Sequence, residues 1–230
     1  MRRTKSESEE TRQRILDAAE TVFLENGVSG TSLERIAKAA AVTRGAIYWH
    51  FSDKQELFAA MIERVRTLHG CLIERELTGM EDPLTFIAGR AYQIVNLFES
   101  DAHMRLVYKI IVTRCEYVGE MQEALVLQRS LHETMISVFR RAFDVAEANG
   151  ELGREWTAET ATATLTCFLS GMLNDWLRYE LTGAFPDTMR RSLKCLAMSF
   201  RSGCVQAPPT SEPSRVAEPA MAFGETRTPG

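Results

Sequence analysis

The chain has 230 residues, of which 45% are hydrophobic and 25% are charged, and its formal net charge is −4. This composition indicates one or two globular domains and excludes a disordered chain. The slightly negative charge also excludes a protein that binds nucleic acid through bulk positive charge alone.

Cysteine usage and hydropathy narrow the class further. The five cysteines are widely spaced and form neither a Cys-x-x-Cys pair nor a cluster with histidine, so we expect reduced, mostly buried thiols and no metal site. No run approaches the about 18 apolar residues of a membrane span, and the N-terminus has no signal-peptide pattern. We therefore expect a cytoplasmic protein that has no membrane partner.

Helical periodicity begins near the N-terminus. Apolar residues recur at intervals of three and four over residues 10–25, and Asn26-Gly27 is a C-cap signal that ends this first helix. A second helix is predicted to begin at Thr31, because Glu34 follows it at the spacing of a capping box.

Two further helices follow closely. Thr43 can cap a third helix over residues 44–51. The second and third helices together form a helix-turn-helix over about residues 32–51, and the last of them has the size of a helix that enters a DNA major groove. A fourth helix starts at Lys54 and is predicted to run to about residue 77.

The rest of the chain predicts more helices and a disordered tail. No alternating apolar pattern predicts a strand, so the fold class is all-α. The stretch 165–173 is apolar on nearly all sides and has to be covered on all sides. Residues 204–230 hold five prolines and little periodicity, which predicts disorder. The later helices are predicted over about residues 83–98, 104–115, 120–148, 157–181 and 187–200.

The second helix of the helix-turn-helix carries side chains that suit DNA. Arg44 is its long cation and can read guanine in a bidentate manner, while Gly45 lets the helix approach a base edge closely. Tyr48, Trp49 and His50 are three consecutive large rings with polar tips, and three such neighbours cannot all lie in a core. We therefore expect this helix to present a surface to another molecule.

Lys54 is a further candidate contact. Its positive charge stands at a helix N-terminus, where it opposes the helix dipole, so its placement suggests an external anion. Ile47 and Phe51 are expected to face inward instead. The predicted DNA contacts are Thr31, Ser32, Thr43, Arg44, Gly45, Tyr48, Trp49, His50 and Lys54.

Residues 10–70 resemble the DNA-binding domain of the TetR family of bacterial transcriptional repressors. The resemblance rests on Arg-Ile-Leu-x-Ala-Ala at 14–19, Thr-Ser-Leu-x-x-Ile-Ala at 31–37 and Thr-Arg-Gly-Ala-Ile-Tyr-Trp-His-Phe at 43–51. The last motif is most similar to the AcrR and TtgR branch, which represses multidrug efflux pumps. The resemblance implies an N-terminal three-helix DNA-binding domain joined to a C-terminal helical domain, over residues 71–203, for ligand binding and dimerisation.

What this resemblance implies is a ligand-responsive repressor. It is expected to bind a palindromic operator in double-stranded DNA as a homodimer, to control a multidrug efflux operon, and to be released by an apolar small-molecule effector. A ligand-independent DNA-binding regulator of the same fold and an activator stay open as alternatives. The sequence shows no catalytic triad, phosphate loop or metal-ligand spacing, so we predict no enzyme, no catalytic residue and no cofactor.

The resemblance also implies a pocket between the helices of the larger domain and a dimer interface from the last two helices. Polarisable methionine and aromatic side chains suit a permissive apolar pocket, although ordinary core is the alternative for each of them. The candidate pocket residues are Asn96, Met104, Tyr108, Ile111, His132, Met135, Phe139, Phe168, Met172 and Asp175. The candidate interface residues are Leu169, Ser170, Gly171, Trp176, Leu193, Leu196 and Phe200, which a partner chain or the same chain can cover.

Overall fold

The computed structural model describes residues 5–69 and 82–201, and within these ranges it confirms the all-α fold. The described part contains no strand, only an isolated bridge between Leu152 and Arg201. The predicted end of the fourth helix, the domain boundary near residue 70 and the predicted tail lie outside the described residues. The helices are α1 (Lys5–Asn26), α2 (Leu33–Ala39), α3 (Arg44–His50), α4 (Lys54–His69), α5 (Pro83–Ser100), α6 (Ala102–Thr113), α7 (Gln122–Ala148), α8 (Ala158–Arg178) and α9 (Phe185–Ser199).

The first four helices form a small domain around aromatic residues. The rings of Phe23 on α1 and Phe58 on α4 meet edge to face, with their centroids 6.2 Å apart. Ile36, Ile47 and Phe51 are fully buried, so α2 and α3 pack against this centre through the residues that were expected to face inward. Burial of one face of α3 leaves the opposite face outward.

The start of α2 differs from the prediction. Ser32 is the N-cap, and its hydroxyl accepts a hydrogen bond from the backbone N–H of Arg35. Thr31 is buried instead and donates its hydroxyl to the carbonyl of Gly27 at 2.8 Å. The predicted capping box between Thr31 and Glu34 is therefore wrong by one residue. The reason is that Gly27, with a φ of +75°, turns the chain so that Thr31 points back at the end of α1.

Helices α5 to α9 form the larger domain, and α8 lies at its centre. Helices α6, α7 and α9 all pack against α8, so neighbours within one chain cover most of its apolar surface. A second aromatic cluster joins the later helices: the ring of Phe200 lies 5.0 Å from that of Phe143 and 4.9 Å from that of Trp156. Trp156 also donates its indole N–H to the carbonyl of Ser199 at 2.8 Å.

This packing corrects most of the predicted dimer interface. Four of the candidates are already buried within a single chain, so the same chain covers them and not a partner: Leu169, Trp176, Leu193 and Phe200. Ser170 and Leu196 are half-buried, and among the predicted interface residues Gly171 is the exposed one. Among residues 5–69 and 82–201, no helix combines the length and the apolar character needed to cross a bilayer.

The start of α5 is fixed to the end of the chain's last described helix. Asp82 caps α5 by accepting hydrogen bonds from the hydroxyl of Thr85 at 2.6 Å and its backbone N–H at 2.9 Å. Arg201, just beyond α9, donates to the same carboxylate at 3.0 Å. The bonds from Thr85, followed by those from Arg201, lower the pKa of Asp82 to about 2, so this cap stays charged at neutral pH.

Candidate nucleic-acid interface

Helix α3 presents one continuous face to the outside. Thr43 caps the helix by accepting a hydrogen bond from the N–H of Ala46 at 3.1 Å. Arg44, Gly45, Tyr48 and Trp49 are all exposed, and their spacing places them on the same side of the helix. The structure thus brings most of the predicted DNA-contact residues together on one surface, which we call the α3 face.

Trp49 is the most prominent residue of the α3 face, with 72% of its surface exposed. Its ring meets that of His50 edge to face at 4.6 Å, and His50 is itself half-buried against Phe51. His50 thus contacts Trp49 but is less exposed than the other residues of the α3 face. A large aromatic residue so exposed on an ordered helix is typical of a surface that has a binding partner.

Arg44 and Tyr48 are joined to a residue that sequence analysis used only as a helix cap. The hydroxyl of Tyr48 donates to Oε1 of Glu34 at 3.0 Å, and Nη2 of Arg44 lies 3.1 Å from the same oxygen. The guanidinium of Arg44 also stands over the ring of Tyr48, with its Cζ 5.6 Å from the ring centroid. A hydrogen bond from its own backbone N–H, and then the bond from Tyr48, lower the pKa of Glu34.

Glu34 could not be found from the sequence pattern. It lies on α2, fourteen positions before Tyr48, and only the packing of α2 against α3 brings the two together. The other predicted contacts at this end of α2 differ in exposure. Ser32 is exposed at the helix start, whereas the hydroxyl of Thr31 is used inside the protein.

Lys54 is placed inside the protein rather than facing an external anion, which corrects the sequence interpretation. Only 6% of its surface is exposed. Its ammonium donates to the carbonyl of Thr31 at 2.9 Å and to that of Ser29 at 3.4 Å, and it pairs with Oε1 of Glu120 at 2.5 Å. The charge that opposes the helix dipole is therefore matched by two carbonyls and a carboxylate of this chain.

The Lys54 contacts form a junction between the two domains. Glu120 belongs to the short 3-10 turn Gly119–Met121 that leads into α7, so the pair connects the helix-turn-helix to the larger domain. Nearby, the N–H of Val28 donates to the carbonyl of Arg114 at 2.8 Å. Arg114 is the residue that caps the end of α6.

A second junction lies at the start of α6. Glu20 on α1 is buried and pairs with Arg64 on α4, while Nε2 of His103 on α6 lies 3.0 Å from the Glu20 carboxylate. Arg64 also pairs with Asp17 at 2.7 Å. Burial opposes the charge on Arg64, but its bonds to Asp17 and Glu20 outweigh that effect and raise its pKa. The sequence pattern marks none of these four residues as functional.

The predicted pocket residues fall into three groups. The first group is buried in the core, which was the alternative to a place in the pocket, and consists of Met104, Ile111 and Phe139. The polar candidates are placed on the outside: His132 and Asp175 are exposed, and the side chain of Asn96 accepts a hydrogen bond from Arg190 at 3.2 Å. These placements correct the expectation that the polar candidates orient a ligand inside the domain. The remaining candidates, Tyr108, Met135, Phe168 and Met172, keep part of their surface accessible.

Tyr108 packs against a neighbouring ring and is still partly accessible. Its ring packs edge to face on that of Phe98 at 5.0 Å, and the surrounding protein raises the pKa of its hydroxyl by desolvation. Yet 38% of its surface is accessible.

Comparison with known proteins identifies the class. Residues 15–61 match the family described as bacterial regulatory proteins, tetR family, and residues 82–186 match the family described as MAATS-type transcriptional repressor, C-terminal region. The chain therefore belongs to the TetR family, whose members are DNA-binding regulators of transcription.

Individual relatives refine this placement. The chain is 41% identical over 181 residues to the transcriptional repressor BepR of Brucella suis. The matched region covers 78% of this chain and 87% of BepR. It is 36% identical to AcrR of Shigella flexneri, over 76% of this chain and 82% of AcrR. It is 35% identical to TtgR of Pseudomonas putida, over 77% of this chain and 85% of TtgR. The resemblance to the AcrR and TtgR branch is thus confirmed.

Two solved structures have the same fold. NalD of Pseudomonas aeruginosa, the secondary repressor of the MexAB-OprM multidrug efflux pump, is 36% identical with a TM-score of 0.76, over 86% of this chain and 98% of NalD. A complex of SmeT with triclosan is 28% identical with a TM-score of 0.70, over 90% of this chain and 99% of SmeT. SmeT is the repressor of the Stenotrophomonas maltophilia multidrug efflux pump SmeDEF.

The internal position of Lys54 predicts a loss of stability when it is removed. We expect Lys54→Ala to lower the free energy of unfolding by about 1–3 kcal/mol, because the carbonyl of Thr31 is left without its buried donor. Urea unfolding followed by circular dichroism measures the change. Lys38→Ala, an exposed lysine of α2, is the control and should change stability by less than about 0.5 kcal/mol. Unchanged unfolding together with a weaker salt dependence of DNA binding would instead make Lys54 a phosphate contact.

Proposed function

We propose that this protein is a ligand-responsive transcriptional repressor that controls a multidrug efflux operon. It binds a palindromic operator in double-stranded DNA as a homodimer, acts in the cytoplasm, and leaves the operator when an apolar small molecule binds its larger domain. The observation that carries the proposal is the α3 face, where Arg44, Tyr48 and Trp49 are exposed together on a helix whose opposite side is buried. Membership of the TetR family and the efflux-pump repressors among its relatives support it.

The α3 face can read a major groove through different kinds of contact. The guanidinium of Arg44 can donate two hydrogen bonds to one guanine, and the ring of Trp49 offers an apolar surface to a thymine methyl group. A Cβ added at Gly45 would meet no protein atom within 4 Å, so packing inside this chain does not require a glycine there. The absent side chain leaves room for DNA.

Replacement of Arg44 tests the base-reading role. Arg44→Ala should weaken binding to the preferred duplex by about 1–3 kcal/mol and relax base preference at one position of each half-site. A duplex selected from a random library by the unmodified protein, with single-base variants of it, provides the probes for fluorescence anisotropy. Arg14→Ala, an exposed arginine on α1, is the control. An equal loss on every sequence would show that Arg44 contacts only phosphate.

A dimer surface is available on α8 and α9, the last two helices as predicted, through Gly171 and exposed residues that were not among the candidates. Ala163, Cys167 and Gly171 are exposed at intervals of four residues along α8, and Cys195 and Met198 are exposed on α9. The expectation of mostly buried thiols is therefore wrong for Cys167 and Cys195. Small residues in such a row allow a second helix to approach closely, and the row is apolar. For two copies joined here to bind a palindromic operator, their α3 helices have to meet successive major grooves, about 34–36 Å apart.

Gly171 is the position at which this dimer can be broken. A Cβ there would meet no atom of the same chain within 4 Å, so Gly171→Arg should leave the monomer folded while its long charged side chain blocks a partner. Sedimentation velocity should show a dimer for the unmodified protein and a monomer for the variant. Gly89→Arg on α5, an equally open glycine, is the control and should stay dimeric. A dimeric Gly171→Arg variant would place the interface elsewhere.

The effector is proposed to bind next to Tyr108, among the predicted pocket residues that keep part of their surface accessible. Met135 on α7 and Phe168 and Met172 on α8 are the other partly accessible candidates, and α8 packs against both α6 and α7. Their flexible, polarisable side chains suit an apolar ligand of variable shape. The related structure of SmeT with triclosan shows that this fold accommodates an apolar aromatic compound in a relative of this chain.

Helix α6 connects the proposed effector site to both domain junctions. It carries Tyr108 in its middle, His103 with its contacts to Glu20 and Arg64 near its start, and the Arg114 carbonyl that holds Val28 at its end. A ligand that displaces α6 would therefore act on the small domain at two points. A coupling of about 1–3 kcal/mol between the sites would change operator affinity by about 5–150-fold.

Tyr108 provides the test of effector release. We expect triclosan to release the selected duplex from the unmodified protein, and Tyr108→Ala to require about tenfold more triclosan, because about 1.4 kcal/mol of ligand contact is lost. Fluorescence anisotropy of the labelled duplex measures both, and affinity without triclosan should not change. Tyr179→Ala, an exposed tyrosine beyond α8, is the control. If triclosan and a panel of other apolar compounds all fail to release DNA, the ligand-independent regulator is the correct alternative.

A further inference from the structure

Glu34 is an acidic residue placed where a DNA-binding surface would be expected to exclude negative charge. Its Oε1 atom receives both the Tyr48 hydroxyl, at 3.0 Å, and Nη2 of Arg44, at 3.1 Å. The two residues that donate to it belong to the α3 face. A carboxylate of α2 is thus an integral part of the surface that is proposed to meet DNA.

The contacts of Glu34 fix the orientation of Arg44. A guanidinium has five N–H donors in one plane, and the carboxylate engages one of its terminal nitrogens. The ring of Tyr48 lies beneath the guanidinium, at 5.6 Å from its Cζ, and the same carboxylate holds the Tyr48 hydroxyl. The remaining donors of Arg44 therefore point in a defined direction, and a bidentate contact to a base depends on such a direction.

Glu34 also changes which part of DNA Arg44 can bind favourably. A phosphate that approaches Arg44 has to compete with the carboxylate for the guanidinium and is repelled by its charge. The edge of a guanine carries no net charge, so a base contact meets much less repulsion and can leave the Glu34 bond in place. The carboxylate therefore penalises phosphate contacts more than base contacts.

We infer that Glu34 is a specificity-determining residue, which holds Arg44 away from the phosphate backbone and orients it toward a base edge. The inference rests on the proposed function, because it requires that α3 enters the major groove. The residue acts through Arg44 and Tyr48 and need not touch DNA itself. In its absence, the freed arginine would bind phosphates of any sequence.

The size of the effect follows from the exposure of the pair. Arg44 and Glu34 are both well exposed, and exposed ion pairs are worth little, so the expected change in affinity for non-operator DNA is roughly twofold to fivefold. Salt dependence provides a second and independent measure. Each additional phosphate that the protein neutralises steepens the slope of log affinity against log salt concentration by about 0.9.

The experiment compares Glu34→Gln and Glu34→Ala with the unmodified protein on two duplexes. One is the duplex selected from a random library by the unmodified protein, and the other is a mixed-sequence duplex of equal length without a palindrome. Glu34→Ala should bind the mixed duplex roughly twofold to fivefold more tightly, with a salt slope steeper by about 0.9 for each recognition helix engaged, while binding to the selected duplex is unchanged or weaker. Glu34→Gln retains the acceptor oxygen but not the charge, so it should keep affinity for the selected duplex and show a smaller increase on the mixed one.

Glu25→Gln is the matched control, because it removes an exposed negative charge from α1 of the same domain. It should raise affinity for both duplexes equally and slightly. If the Glu34 variants also raise both affinities by one common factor, bulk charge explains the result and the inference is overturned. Thermal unfolding shows whether each variant is folded. If Glu34→Ala does not fold, Glu34→Gln still provides the test.

Failure of the proposed function would be recognised separately. In that case the unmodified protein itself would select no palindromic duplex and would bind both duplexes alike. That result would overturn the proposed function and this inference together. A clear preference in the unmodified protein, kept at the same ratio in both Glu34 variants, would overturn the inference alone.

Discussion

A buried positive charge is one of the contacts that hold the helix-turn-helix against the larger domain. Lys54 is almost inaccessible, and a charge inside a protein is strongly unfavourable unless hydrogen bonds and an opposite charge compensate it. The carbonyl of Thr31 and the carboxylate of Glu120 supply that compensation. The loop before α2, the first turn of α4 and the turn before α7 therefore have to stay together, and the orientation of the helix-turn-helix on the larger domain follows from this requirement.

Helix α6 contacts the small domain at two further points. Helix α6 spans the larger domain between the Glu20–Arg64–His103 cluster at one end and the Val28–Arg114 hydrogen bond at the other. Because α3 packs on α2, and the loop before α2 is held by Lys54, a shift of α6 can change how α3 is presented without unfolding any helix. A small displacement at a packed junction is the usual way in which a bound ligand reaches a distant surface.

The candidate site divides into a part that the sequence predicts and a part that it does not. Arg44, Tyr48 and Trp49 could be predicted because the sequence of α3 alone shows which residues cannot all be buried. Glu34 and Lys54 could not, because the role of each depends on a partner that is remote along the chain. The same holds for the dimer surface: composition shows that α8 is apolar on all sides, but not which side its own neighbours cover.

The sequence by itself determined the all-α fold, the order of the helices and the helix-turn-helix, because helical periodicity and capping are local properties of the chain. Its motifs also indicated that the chain belongs to the TetR family. Only the tertiary structure decided that Ser32 rather than Thr31 caps α2, that Lys54 faces inward, and that Glu34 holds Arg44. Each of these depends on which charges and polar groups become neighbours when helices pack, and no spacing within one helix records that.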